Sequence, residues 1–148
     1  MALNAHVSWA GERTFIGRSG SSHSVIMDVD PGSGGHDAGF RPLEMLLLGM
    51  GGCTAYDVVD ILEKGRQPVS GCVVELEAER AQDMPRLFAT IRVRYVVSGP
   101  GLDPDKVARA VKLSSETYCS ATLMLGKSAE ITHDVEIVDT SGTGDQGP

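Results

Sequence analysis

Hydrophobic positions repeat with two different periods along the chain, and each period predicts one kind of secondary structure. Residues 5–29 and 69–99 alternate apolar and polar side chains, which predicts β-strands. Residues 42–64 and 102–119 have the spacing of amphipathic helices, and residues 129–139 alternate again. The predicted order is therefore β-β-β-α-β-β-α-β. Because strands and helices come in blocks, we expect an α+β fold with a mostly antiparallel sheet.

A long central helix is predicted over residues 42–64. Pro42 suits the first helical turn, and Gly65 suits the position just after a helix end. The uncharged apolar run inside it, from Met45 to Tyr56, has 12 residues. A membrane-spanning helix needs roughly 20. We therefore expect this helix at the centre of a soluble protein, with no membrane as a partner.

The second helix and the strand before it have clear inward faces. Asp103 is the expected N-cap of the helix and Pro104 its first residue. The inward stripe of the helix is predicted to consist of Val107, Ala110, Val111 and Ser114. One face of the strand is predicted to consist of Leu87, Ala89, Ile91, Val93, Tyr95 and Val97.

Length and charge limit the function classes. The 148 residues point to one domain, which we place at residues 1–139, with a polar, glycine-rich tail at 140–148 that we expect to be disordered. The net charge of −7 and the pI of about 5.0 argue against a nucleic-acid partner. The N-terminus lacks a basic segment followed by an apolar run. We therefore expect a cytoplasmic protein.

Three cysteines carry the candidate chemistry, and Cys53 stands out among them. It follows Gly49, Gly51 and Gly52 in the central helix. Each glycine inside a helix costs about 0.5–1 kcal/mol relative to alanine. Two explanations stay open: the glycines allow close packing against another backbone, or they keep space open beside the thiol for a substrate. Cys72 lies in a predicted strand and is interpreted as an ordinary strand residue.

Cys119 ends the second helix. If the two helices pack together, the thiols of Cys53 and Cys119 can meet and cycle through a disulfide, one acting as nucleophile and the other as resolving thiol. A zinc site made of these two cysteines and a histidine is an alternative. It is disfavoured because the four histidines are scattered along the chain, and we predict no metal and no cofactor. The histidines are His6, His23, His36 and His133.

Four segments together resemble the OsmC/Ohr family, the osmotically inducible and organic-hydroperoxide-resistance proteins, and most closely its YhfA-like branch. The resemblance covers roughly residues 5–139 and implies an OsmC-like fold built as an intertwined homodimer around the central helices. It also implies a peroxiredoxin-like thiol peroxidase that reduces small organic hydroperoxides in defence against oxidative stress. The segments are RPLEMLLLGMGGCTAYDVVDILEKGR, PRLFATIRVRYVVSG, VARAVKLSSETYCSATLML and ITHDVEIV.

The resemblance also implies a role for individual residues. Cys53 matches the peroxidatic cysteine of the family and Cys119 the resolving one. Arg18, in the segment GRSG, matches the arginine that stabilises the thiolate, and Glu44 approximates the glutamate that assists it. An external dithiol, either a lipoyl group or a small thiol, is the implied reductant.

Two positions depart from the family pattern. Leu43 follows Pro42, where the peroxidase branches have glutamate, and Ser120 stands where the family has proline. Glu44 comes nine residues before Cys53, which is about 900° of helical rotation, or half a turn out of phase. Asp57 shares the face of Cys53 and disfavours a thiolate there. The alternative is therefore a binding or redox-sensing module at a dimer interface with little peroxidase activity.

Overall fold

A computed structural model describes residues 2–142 of the chain. The chain divides into two compact units, Met1–Leu48 and Gly49–Pro148. Residues 143–148, which make up most of the expected disordered tail, lie outside the described residues. The assignment of residues 1–139 to a single domain stays a prediction.

The first unit contains a three-stranded antiparallel sheet with the order β1-β2-β3. Its strands are β1 (Ala5–Trp9), β2 (Phe15–Ser19) and β3 (Ser24–Met27). A short 3₁₀ turn, Pro31–Ser33, lies in the glycine-rich loop that follows. The buried carboxylate of Asp28 organises this loop by accepting backbone N–H groups from Val29, His36 and Ala38 at 2.7–3.2 Å. The ordered loop leads into the long helix α1 (Pro42–Lys64), whose bounds agree with the prediction.

The second unit is built on the sheet β4-β5-β6. Strand β4 (Gly71–Arg80) is antiparallel to β5 (Phe88–Gly99), whereas β6 (Glu130–Asp139) is parallel to β5. Between β5 and β6 the chain forms α2 (Pro104–Leu113), a π-helical turn (Ser114–Tyr118) and α3 (Ser120–Leu125). Asp103 caps α2 by accepting the Asp105 N–H at 2.9 Å. The element order agrees with the prediction, with α3 as a short helical segment between α2 and β6.

The core of the second unit contains side chains from α1, β5 and α2. The predicted inward stripe of α2, including Ser114, is buried. The fully buried residues of α1 and β5 include Thr54, Val58, Ile91, Tyr95 and Val97. By length and composition alone, α1 could cross a membrane. The burial of Thr54 and Val58 instead identifies the second part of α1 as a core helix of a folded domain.

The predicted inward face of β5 is correct from Ile91 onward and wrong before it. Leu87 is 53% exposed and Ala89 is also exposed, while Phe88 is 8% exposed. The register shifts between Glu79 and Arg80, so that Phe88 pairs with Arg80 and Ala89 has no partner on β4. Such a β-bulge adds one residue to one strand and reverses the alternation of faces beyond it.

Candidate dithiol site

Two thiols and one carboxylate form a cluster in the second unit. Cys53 lies on α1, and Cys119 is the N-cap of α3, directly after the π-helical turn. The Sγ atoms of Cys53 and Cys119 and a carboxylate oxygen of Asp57 all lie within 4.8 Å of one another. Asp57 reaches the cluster because it is four residues, about one helical turn, after Cys53. The structure thus brings together the two cysteines singled out in the sequence.

The two thiols differ in accessibility. Cys119 is fully buried, whereas Cys53 is only partly buried. The backbone N–H and the hydroxyl of Thr122 donate hydrogen bonds to Cys119 Sγ at 3.4 and 3.1 Å. Burial raises the pKa of Cys119 above its ordinary value, and the neighbouring Cys53 adds to this effect, although the Thr122 hydrogen bonds oppose it. Cys119 is therefore a protonated thiol at neutral pH, and an incoming molecule meets Cys53 first.

A chain of buried hydroxyl groups connects Asp57 to the sheet. Ser114 donates to Asp57 Oδ2 at 3.0 Å, and the Thr54 hydroxyl lies 2.8 Å from both the Ser114 and the Tyr95 hydroxyls. Tyr95 OH lies 3.3 Å from His133 Nδ1, and the two rings stack with centroids 6.0 Å apart. Burial lowers the pKa of His133, so its imidazole is neutral at neutral pH. This hydrogen-bond network holds the Asp57 carboxylate in place on the side of the cluster that faces the core.

Sequence reasoning did not identify this network. The sequence places Ser114 on the inward stripe of α2 and Tyr95 on the inward face of β5, but it does not connect their hydroxyl groups with Cys53. The available signal was polar residues at positions that the hydrophobic pattern places in the core, because buried polar groups require partners. Thr54, next to Cys53 in the apolar run, is the third such residue.

The three glycines before Cys53 have different surroundings. A Cβ atom added at Gly51 would lie 2.8 Å from Leu76 Cδ1, so this glycine allows α1 to pack closely on β4. A Cβ atom added at Gly49 or Gly52 would meet no atom within 4 Å among the described residues. The contact at Gly51 is thus with a side chain and not with another backbone, and a role of the open space at Gly49 and Gly52 in admitting a substrate stays a prediction.

Glu44 has a local structural role at the start of α1. Its Oε1 atom accepts the backbone N–H of Arg41 at 2.7 Å, which is the reciprocal half of a capping box. Arg18 lies on β2, exposed, opposite His6 of β1 and Ser24 of β3. Glu44 and Arg18 both belong to the first unit. Their proposed roles toward the Cys53 thiolate come from the family resemblance and stay predictions.

Cys72 is not a member of the thiol cluster. It pairs with Val97 across β4 and β5 and borders a shallow groove that also contains Gly52 and Tyr56 of α1. Burial raises its pKa. A partly buried strand cysteine agrees with the sequence interpretation, and its lack of a functional role stays a prediction.

A family comparison identifies the fold. The model of the OsmC-like protein family matches residues 34–134, a range that contains Cys53, Asp57 and Cys119. The chain belongs to the OsmC-like family. Among curated relatives, Protein YhfA of Escherichia coli (strain K12) is 47% identical over 136 residues, which cover 92% of this chain and 98% of YhfA. The recognition made from the sequence is confirmed.

Solved structures of OsmC-like proteins share the fold at low sequence identity. The OsmC-like protein of Mycoplasma pneumoniae superimposes with a TM-score of 0.80 at 15% identity, covering 93% of this chain and 98% of that one. An organic hydroperoxide resistance protein OsmC of Legionella pneumophila superimposes with a TM-score of 0.69 at 12% identity, covering 92% and 97%. The predicted OsmC-like α+β fold is confirmed, and the homodimer stays a prediction.

Proposed function

We propose that this OsmC-like protein is a cytoplasmic thiol-dependent peroxide reductase that prefers organic hydroperoxides and acts in oxidative-stress defence. The observation that carries the proposal is the approach of Cys53 and Cys119 to within 4.8 Å in this fold. Family membership supports a redox-stress role, since one structural relative is described as an organic hydroperoxide resistance protein. The name YhfA, carried by the relative at 47% identity, specifies no activity.

Cys53 is the proposed peroxidatic residue because it is the accessible thiol of the pair. Its thiolate attacks one oxygen of the hydroperoxide, the O–O bond breaks, and the alkoxide leaves and is protonated to the alcohol. Cys53 becomes a sulfenic acid. The positions of Gly49 and Gly52 on the same helix are open, and this space is proposed to admit the hydroperoxide. Arg18 and Glu44 are proposed from the family resemblance to stabilise the thiolate.

Cys119 is the proposed resolving residue because it lies beside Cys53 and is shielded from solvent. Its sulfur attacks Cys53 Sγ, a disulfide forms, and the hydroxyl of the sulfenic acid leaves with the thiol proton as water. The two sulfurs approach from within 4.8 Å to a bond length of about 2.05 Å. An external dithiol, a lipoyl group or a small thiol, then reduces the disulfide.

Mass spectrometry after a single oxidation tests this cycle. With one equivalent of cumene hydroperoxide, the reduced protein is expected to lose about 2 Da and two free thiols, because a disulfide forms. Peptide mapping should place the bond between Cys53 and Cys119. The matched control is Cys72→Ala, which should react within about twofold of the wild-type rate, since its thiol is not a member of the cluster. A disulfide that contains Cys72, or no mass change in the wild type, would contradict the proposal.

A redox-sensing module with little peroxidase activity is the second candidate. The observation that favours it is the Asp57 carboxylate beside both sulfurs, because a nearby negative charge disfavours a thiolate. A sensor would form the same disulfide but complete few cycles with an excess of peroxide and dithiothreitol. Multiple-turnover kinetics therefore separates the two candidates.

We also propose that the protein is a homodimer whose interface includes α1. Leu48 of this helix is 54% exposed, and Leu46 and Tyr56 are exposed as well. Light scattering at micromolar concentration should give twice the 15.6 kDa chain mass. Leu48→Glu should weaken the dimer by about tenfold or more, the effect of roughly 1.4 kcal/mol.

The control for the dimer is Leu87→Glu, because Leu87 is 53% exposed but lies outside α1. This substitution introduces the same charge at an equally exposed leucine and should leave the mass unchanged. A monomeric wild type, or an equal effect of the two substitutions, would refute the proposed interface.

A further inference from the structure

We infer that reduced Cys53 and Cys119, together with Asp57, bind one divalent metal ion of the zinc class. We further infer that oxidation of the two cysteines to a disulfide releases the ion. The release step rests on the proposed function, whereas binding of the ion does not. The cluster of Cys53, Asp57 and Cys119 is the only group of three such ligands found among residues 2–142.

The donor atoms and their spacing fit zinc. Thiolate ligands favour zinc over magnesium or calcium, and a carboxylate oxygen is also a common zinc ligand. With metal–ligand distances of about 2.0–2.3 Å, a tetrahedral ion places its ligand atoms roughly 3.3–3.8 Å apart. The three atoms already lie within 4.8 Å of one another, so an inward shift of about 1 Å or less assembles the site. Three protein ligands leave the fourth position to water.

Two of the three ligands are held by hydrogen bonds of the kind that support metal ligands. Ser114 donates to Asp57 Oδ2, and Thr122 donates twice to Cys119 Sγ. Such outer contacts orient a ligand and stabilise its charged form. Cys53 and Asp57 lie four residues apart on α1, the spacing that also places two histidines on one metal in helical zinc motifs.

A divalent cation would also stabilise the negative charges that metal binding creates at the cluster. Asp57 forms no salt bridge among residues 2–142. Two thiolates beside this carboxylate would repel one another in a partly buried site, and a divalent ion offsets that repulsion. The ion thus favours both thiolates, whereas the carboxylate alone disfavours them.

Oxidation removes the ligands that the ion needs. The two metal-bound thiolates give two electrons to the O–O bond of a hydroperoxide. With two protons taken from water, the products are the Cys53–Cys119 disulfide, the alcohol, one water molecule and the free ion. The disulfide sulfurs carry no negative charge and no longer bind the ion as thiolates do.

Metal titration of the reduced, metal-free full-length protein tests the site. Zinc is added in competition with a chromophoric chelator, and cobalt(II) is used to detect thiolate ligation by its charge-transfer absorption. One zinc ion per chain is expected. Asp57→Asn should weaken binding by about tenfold or more. The matched control is Asp60→Asn, on the same helix but paired with Lys64, and it should bind within about twofold of the wild type.

Further variants keep the test decisive. Circular dichroism checks that Asp57→Asn is folded, and if it is not, Cys53→Ser tests the same ligand set against the control Cys72→Ser. No zinc bound by the wild type, or equal affinity in the wild type and Asp57→Asn, would overturn the inference. So would loss of binding in Cys72→Ser alone.

Addition of cumene hydroperoxide to the zinc-loaded protein separates this inference from the proposed function. The expected result is one zinc ion released for each disulfide formed. Zinc that stays bound with no disulfide, in a protein whose metal-free form does become a disulfide, would support the metal site and contradict the release alone. Disulfide formation in a protein that never binds zinc would overturn the inference and leave the peroxidase standing.

Discussion

Cys53→Ser is expected to lower the rate of cumene hydroperoxide reduction by about a thousandfold or more, because the substitution removes the proposed nucleophile. Cys119 cannot take over this role, since it is fully buried and its pKa is raised by burial. The measurement is loss of hydroperoxide under multiple turnover with a dithiol reductant. The control Cys72→Ser should keep nearly the full rate, and equal rates for the two variants would refute the assignment.

Cys119→Ser distinguishes the two proposed thiol roles. The first step should still occur, so this variant should consume one equivalent of hydroperoxide and then stop. Its Cys53 sulfenic acid should be trapped by dimedone, because no resolving thiol condenses with it. A dimedone adduct on Cys119 in the Cys53→Ser variant would mean that the two roles are reversed.

Helix boundaries could be predicted because their signals are local in the sequence. Pro42 is the first residue of α1 and Gly65 follows its last residue. Asp103 is the N-cap of α2 and Pro104 its first residue. Each of these signals lies within one helical turn of the helix end that it determines. The face of β5 before Ile91 could not be predicted. Its alternation is reversed by a bulge that depends on pairing with β4, and no short segment of sequence specifies that pairing.

The thiol pair was predictable in outline, but its surroundings were not. Cys53 and Cys119 could be paired from the sequence because each lies in a predicted helix of one small core. The helical spacing places Asp57 on the face of Cys53, but the sequence does not mark it as a third metal ligand beside the two cysteines. The contact of Asp57 with Ser114 spans 57 positions of the chain, and only the packing of α1 on the π-helical turn brings them together.

Thr54→Val is expected to destabilise the protein by about 1–3 kcal/mol, because two buried hydrogen bonds are lost. Valine keeps the shape of threonine, so no cavity forms, but the Tyr95 and Ser114 hydroxyls each lose a partner at 2.8 Å. All three side chains are fully buried. Tyr95 keeps its contact with His133 and Ser114 keeps Asp57 as its acceptor, so each lost hydrogen bond costs about 0.5–1.5 kcal/mol. Urea denaturation measures the change, and Thr132→Val at an exposed position of β6 is the matched control.

A double-mutant cycle with Tyr95→Phe shows whether the loss comes from the hydrogen bond itself. In each single variant one hydroxyl of the Thr54–Tyr95 pair remains and loses the other as a partner, whereas the double variant removes both members of the pair. The double variant should therefore be less destabilised than the sum of the two single variants, by about 1 kcal/mol. The Ser114 hydroxyl still donates to Asp57 in every variant, so the thiol cluster should remain reactive. Additivity within about 0.3–0.5 kcal/mol would mean that the pair contributes little. The destabilisation by Thr54→Val would then come from Ser114 alone.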